Sequence, residues 1–395
     1  MPIAGPILGI GLLCFGAAIL PGCSLTRPAS KPAPPAQPVA VVKPVLPTPV
    51  ATHRFQFESA DVDVVGYVQR TIIGPEDTLP DVARRFDVGY EEMLLANPGV
   101  DPRLPGVGRE VVVPTEFVLP AAPRAGIVVN IAAMRIFYFP PHKKGQPQIV
   151  YTHPIGIGRV GWQTPEGTTK IVSRQKDPVW IPPKSVRDEH AADGDSLPAK
   201  IPAGPDNPLG QHMFRLGWPT YLIHGTNKPY GVGMRSSHGC IRLYPEDIAV
   251  FFDLVPVGTK VTIVNQPYLF GWRDGTPYLQ AYAVLEDDAR AKAKSGKRVV
   301  DRMLSPKLRE RVASHDKEID WGRVAELARK PRAIPVPVGP AKPGIETVLA
   351  ESRLVADTVP TGSNWSGKSE LLIDEKTFRD MLGSRDKPPP LTQSR

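Results

Sequence analysis

The stretch IHGTNKPYGVGMRSSHGCIRL occupies residues 223–243 and holds Cys240, the one cysteine beyond residue 23 of a 395-residue chain. The other two are Cys14 and Cys23, so Cys240 has no evident disulfide partner. Its surroundings point to chemistry instead. A free thiol has a pKa of about 8.5 and reacts as the thiolate, so a nucleophilic role needs a thiolate held beside an imidazole or in a positive field. His238 lies two residues before Cys240, and His224 ends an apolar strand sixteen residues before it, from which the chain can fold back. The backbone N–H groups of Gly239 and Cys240 stand where an oxyanion would form, and Gly239 lets an intermediate approach without a side chain in the way. Local spacing does not say which histidine is the base. Two blander readings stand beside this one: an inert core thiol, and a zinc site of His224, His238 and Cys240, which lacks an obvious fourth ligand.

Working outward, residues 126–155 are strand-rich, GIVVNIAAMRIFYF and then QPQIVYTHPIGIG across a proline turn. Gly156–Gly161 satisfies GxGxxG, but WQTPEG follows rather than a helix, so dinucleotide binding is not expected. Residues 173–217 are polar and irregular, as in a lid or binding loop. After the cysteine, Pro245 opens a helix with Glu246 and Asp247 near its positive end and Ile248, Phe251, Phe252 and Val255 facing inward. TKVTIVNQ (259–266) is a strand, and residues 267–285 form an appended hairpin turning at Arg273–Thr276.

The 223–243 stretch, with GIGRVGWQTPEG and GPDNPLG upstream, resembles the L,D-transpeptidases with a YkuD-type catalytic domain over about residues 126–266. With its flanking segments the chain is similar to the ErfK/YbiS/YcfS/YnhG group of Gram-negative envelopes. The resemblance implies an α+β, mainly β catalytic domain in which Cys240 is the nucleophile and His224 the proton donor and acceptor. Ser237, His238 and Gly239 would shape the pocket, and Arg242, in place of the asparagine of other branches, would meet a substrate carboxylate. No metal and no cofactor are implied. The reaction would be cysteine acyl transfer from the third residue of a tetrapeptide stem, releasing D-alanine, to diaminopimelate (a 3→3 crosslink) or to a lysine of an envelope lipoprotein. The alternatives are an L,D-carboxypeptidase or amidase acting on the same bonds, and a non-catalytic wall-binding protein.

Residues 64–115 read as strand, helix, helix, strand. Thr78 is placed to cap a helix over Leu79–Phe86, and a second helix, Tyr90–Ala96, stops before Asn97-Pro98-Gly99. The DTL, ANPG and VVVP elements resemble a LysM module, which implies binding of glycan strands.

Composition frames the whole. A net charge of +8 favours an anionic partner without choosing among nucleic acid, lipid and wall polymer. The N-terminus chooses. Ile3–Leu20 is uncharged and mostly apolar and runs into LPGC, so residues 1–23 read as an export signal resembling a lipobox, with Cys23 the acylated residue. Export leaves nucleic acid aside, and with the resemblance it implies the periplasm or envelope of a Gram-negative bacterium, as an outer-membrane lipoprotein if Cys23 is acylated. Residues 24–56 form a proline-rich linker, with eight prolines in 28–50. Beyond the hairpin, residues 286–395 are expected to be a basic, partly disordered tail, with nine basic against two acidic residues in Arg290–Arg311.

Overall fold

The computed structural model describes residues 46–49, 52–57, 61–143, 145–292 and 297–358. Cys23, the apolar N-terminal run and residues 24–45 lie outside them. No helix among the described residues is long and apolar enough to cross a membrane.

The core is a nine-stranded sheet. In spatial order its strands are Arg54–Phe57, Gln148–Pro154, Arg135–Phe139, Gly126–Asn130, Lys260–Val264, Gly167–Lys176, His212–Leu216, Leu222–His224 and Ile241–Arg242. Two neighbouring pairs are parallel, Gly126–Asn130 with Lys260–Val264 and Leu222–His224 with Ile241–Arg242; the rest are antiparallel. The branched apolar runs explain the strands, since Ile127, Val129, Ile136, Ile171, Phe214, Ile223, Ile241 and Val261 are all buried in one cluster. Each such side chain is worth about 1.5–3 kcal/mol relative to exposure. Helix Pro245–Leu254 lays Ile248 and Phe251 on this cluster.

Two segments depart from the sequence reading. Arg54–Phe57, expected to belong largely to the linker, is an edge strand paired with Gln148–Pro154, because its alternation buries Phe55 and Phe57 and leaves Arg54 and Gln56 outside. Residues 173–217, expected to be irregular, contain the end of the long strand Gly167–Lys176, helix Lys184–Ala192 and strand His212–Leu216.

Residues 69–113 form a β-α-α-β unit of Gln69–Ile72, helices Leu79–Arg85 and Tyr90–Ala96, and Glu110–Val113. Thr78 caps the first helix and exchanges bonds with Asp81. Leu79, Val82, Ala83, Phe86 and Met93 fill its small core. Several contacts join the unit to the nine-stranded sheet and to helix Pro245–Leu254, among them the following. Arg135, fully buried, sends Nε to Glu92 Oε1 at 2.9 Å and a terminal nitrogen to Glu92 Oε2 at 2.7 Å. Arg84 grips Glu246 with two bonds of 2.7 and 2.8 Å. The first N–H groups of helix Tyr90–Ala96, which have no partner within their helix, donate to the carbonyls of Val232 and Gly233 at 3.4 and 3.2 Å. Gly233 has φ +78° and a Cβ there would come within 2.2 Å of Tyr90 N, so only glycine fits this crossing. A loop that leads into SSHGC is thus held from behind by the unit's second helix.

The C-terminal segment carries more structure than its basic composition suggested. Helices Pro306–Ser314 and Trp321–Arg329 and strand Pro335–Pro337 close over the hairpin Tyr268–Arg273/Thr276–Ala281. The cluster includes Val300, Met303, Leu308, Val312, Val324, Leu327, Phe270 and Trp272. Arg311 lies over the Trp272 ring at 4.0 Å and pairs with Asp63 at 2.8 Å, so it serves this packing rather than a free basic face. Farther on, Arg353–Leu354 adds a parallel strand to Gln69–Ile72.

Candidate active site

The end of the sheet positions the chemistry. Ile223 pairs with Ile241 and His224 with Arg242, and both isoleucines point into the core. Because side chains alternate along a strand, His224, Arg242 and Cys240, two residues before Arg242, emerge on the opposite face. His224 and Cys240 are then diagonal neighbours at the end of the parallel pair. The other histidine of interest, His238, is directed elsewhere, as described below.

His224 is almost wholly buried. Its Nδ1 donates to the Gly225 carbonyl at 2.6 Å, which fixes the tautomer and leaves the lone pair on Nε2. Burial, and then the Arg242 guanidinium, push its pKa down to about 3; the backbone of Gly225 and Leu209 opposes this only in part. Cys240 is half-buried. Its Sγ lies 3.6 Å from the Thr220 carbonyl, and no hydrogen bond joins it to His224 among the described residues. Burial raises the thiol above its ordinary value, while the Leu222 backbone and Arg242 pull the other way. The sequence reading required an ionised thiol beside the imidazole. The geometry instead favours a neutral thiol and a neutral imidazole at rest, because burial penalises both charged forms.

This has a direct consequence. Alkylation of Cys240 by iodoacetamide in the free protein should rise with pH to a midpoint above about 8.5, the ordinary thiol value. A midpoint below 7, read by intact-mass kinetics, would mean a preformed thiolate.

The SSHGC turn is built rigidly. Ser237, fully buried, donates its hydroxyl to the Cys240 carbonyl at 2.6 Å and accepts from Gly239 N at 3.1 Å. Gly239 N–H, expected to face an oxyanion, is therefore occupied; among the described residues the Cys240 N–H meets no acceptor and is the donor left for that task. Gly239 has φ +100°, and a Cβ there would lie 2.9 Å from the Tyr221 ring, so the turn admits only glycine. The 156–167 segment clamps this turn from outside. Thr164 Oγ1 donates to the Gly239 carbonyl at 2.9 Å and accepts from Gly158 N at 3.0 Å, and Arg159 N donates to Ser237 O at 3.0 Å.

His238 faces the helix Lys184–Ala192. Its Nε2 lies 2.6 Å from Glu189 Oε2 and 3.1 Å from Arg159, Arg159 also pairs with Glu189, and Trp162 packs edge-on against the ring. Burial and Arg159 lower its pKa, and Glu189 opposes them. It anchors that helix over the site. Arg242 sends a terminal nitrogen to Ser236 O at 3.4 Å, and its Nε has no partner. Thr164, Arg159 and Glu189 were not singled out from the sequence. Thr164 lay in a stretch read as a turn, and Glu189 in the polar, irregular stretch read as a lid or binding loop.

Residues 124–263 match the L,D-transpeptidase catalytic domain called YkuD. Over 280 residues the chain is 41% identical to the "Probable L,D-transpeptidase ErfK/SrfK" of Salmonella typhimurium, spanning 70% of this chain and 88% of that protein. The chain belongs to the L,D-transpeptidase family. The Escherichia coli K12 proteins named ErfK/SrfK and YcfS are 39% and 45% identical over 262 and 194 residues, covering 66% and 48% of this chain and 82% and 59% of their own lengths. The transpeptidase domain as matched takes in the strands Gly126–Asn130 through Ile241–Arg242 and almost all of Lys260–Val264. The edge strand Arg54–Phe57, the β-α-α-β unit and the C-terminal helices lie outside that match but pack on the same body.

Proposed function

We propose that this transpeptidase acts on peptidoglycan stem peptides in the cell envelope, with Cys240 as nucleophile and His224 as the proton carrier. Sγ bonds to the carbonyl carbon of the third stem residue as its proton passes to His224 Nε2. The bond to the terminal D-alanine then breaks, and its nitrogen takes that proton. An amine of a second stem, or of a lipoprotein lysine, next attacks the thioester carbon; the C–S bond breaks and the amine's proton passes through His224 to Sγ, which restores the thiol. The observation that supports this reading is the parallel pairing of Leu222–His224 with Ile241–Arg242, from which side-chain alternation puts the imidazole on the face of Cys240, the one thiol among the described residues. Ser237 and Gly239 hold the turn, His238 holds the covering helix, and Arg242 supplies positive charge for the substrate carboxylate and the developing oxyanion. The β-α-α-β unit is read as a LysM-type glycan holder, and Cys23 as a lipid anchor that keeps the enzyme at the outer membrane.

Purified protein incubated with a tetrapeptide muropeptide tests this by mass spectrometry. The expected product is a dimer with the mass of two substrates less one alanine. A tripeptide alone would replace transfer by hydrolysis, and no release of alanine would overturn the reaction.

A further inference from the structure

Away from Cys240, three ionisable side chains from three elements meet where the β-α-α-β unit packs on the sheet. Asp87 follows helix Leu79–Arg85, His153 sits on strand Gln148–Pro154, and Asp247 lies in the first turn of helix Pro245–Leu254. They are 6%, 2% and 9% exposed. His153 Nδ1 is 3.0 Å from Asp87 Oδ2 and 3.4 Å from Asp247 Oδ1, and one ligating atom of each residue lies within 4.8 Å of the others.

These approaches are close but not directed. Both oxygens of Asp87, both ring nitrogens of His153 and Oδ2 of Asp247 are buried without a hydrogen-bond partner. An ordinary buried ion pair costs several kcal/mol per ion in desolvation, and it tolerates this only when hydrogen bonds take up the remaining lone pairs. Here the nitrogen and oxygen atoms lie within 4.8 Å of one another without hydrogen-bond geometry between them. The two separations from His153 Nδ1, 3.0 and 3.4 Å, match those between donors around a cation. Nitrogen and oxygen ligands about 2.0–2.1 Å from a tetrahedral zinc are separated by about 3.3 Å. Two carboxylates and an imidazole also match the charge and donor preference of a divalent first-row cation. His53 supplies a way in and a candidate fourth ligand: its half-exposed ring stacks on His153 at 5.7 Å, and its Nδ1 is 3.9 Å from Asp87 Oδ2.

We propose that Asp87, His153 and Asp247 form a divalent-metal site, suited first to Zn2+, that clips the β-α-α-β unit to the catalytic domain. One ion would join three segments that are distant in sequence and stand behind the helix that carries Glu246. The site is separate from the Cys240 chemistry, and either proposal can fail alone.

The test uses the full chain with Cys240→Ser, so that the thiol cannot serve as ligand, freed of tags and stripped with a chelator. Titration with ZnCl2, with MnCl2 in parallel, is followed by calorimetry, by metal analysis after gel filtration and by melting. Retention of one Zn2+ per chain with a rise in Tm of several degrees is expected. His153→Gln and Asp247→Asn should each weaken binding by about 100-fold or more. Two variants are used because either alone could perturb packing, and the unsubstituted ligand set is itself measured. No retained zinc at 100 µM (a roughly saturating concentration for any structural site), or binding in both variants as tight as in the chain that keeps His153 and Asp247, would overturn the site.

Discussion

Cys240→Ala is expected to lower turnover of a tetrapeptide muropeptide by more than about 10^4-fold, the scale seen when an attacking atom is removed from a covalent mechanism. Nothing nearby replaces it. The serines of the same turn are committed or turned away: Ser237 is fully buried and bonded at both ends of its hydroxyl, and Ser236 lies against the Gly231 carbonyl at 3.3 Å. The substitution should cost little stability. Sγ makes a long contact to Thr220 O and meets the Leu222 backbone, and the turn is held by Ser237, Thr164 and Gly239 without it. Binding to insoluble wall glycan should persist, since the proposed glycan holder lies in residues 69–113, well apart in sequence and built on its own core. A carbapenem, whose strained acyl group any accessible nucleophilic thiol would open, should add one adduct mass to the wild-type chain and none to the variant. Crosslinking retained by the alanine variant, or a wild-type mass unchanged after long incubation, would remove Cys240 from the mechanism.

What the sequence disclosed and what it hid follow from how local each signal is. The helix at Leu79–Arg85 was legible because its cap, its early proline and its apolar spacing are adjacent in the chain. The SSHGC turn was legible because a lone thiol among histidines, glycine and arginine is rare and chemically specific. Its hydrogen bonding was not: the hydroxyl of Ser237 competes for the N–H of Gly239, and only coordinates show which acceptor wins. Sheet order was hidden for a related reason. Strands as short as Leu222–His224 and Ile241–Arg242 carry no pattern that names a partner, yet their parallel register is what sets His224 opposite Arg242, two residues from Cys240. The C-terminal helices were obscured by charge. Pro306–Ser314 has only Leu308 and Val312 buried, one turn apart, so its apolar stripe is narrow beside its arginines; its partners are supplied by the hairpin and by Trp321–Arg329. The buried trio Asp87, His153 and Asp247 was invisible altogether, since its members are spread over 160 residues and none lies in a recognisable motif.

His224→Gln is the second large effect, a fall in kcat/KM of about 10^2–10^4-fold, the usual worth of a positioned general base. Glutamine can keep a hydrogen bond to the Gly225 carbonyl and fill much of the same space, so the loss reports proton transfer rather than collapse. The pH dependence should change form as well as size. In the wild-type enzyme His224 is held neutral down to about pH 3 by burial and by Arg242. Its unprotonated form is therefore fully available from pH 5 upward, and kcat/KM should show no acid limb from this residue between pH 5 and 8. Cys240, raised above the ordinary thiol value, is likewise in one protonation state across that range. Proton transfer inside a neutral pair then gives a flat profile, because the pair as a whole neither gains nor loses a proton before the attack. In the glutamine variant that route is closed, and only the small fraction of molecules already ionised at Cys240 can react. That fraction grows tenfold for each pH unit below the thiol pKa, so residual activity should climb with a slope near one. A variant within fivefold of wild type with a flat profile would transfer the base role away from His224. His238, already bonded to Glu189 and Arg159, would have to break that anchorage to assume it.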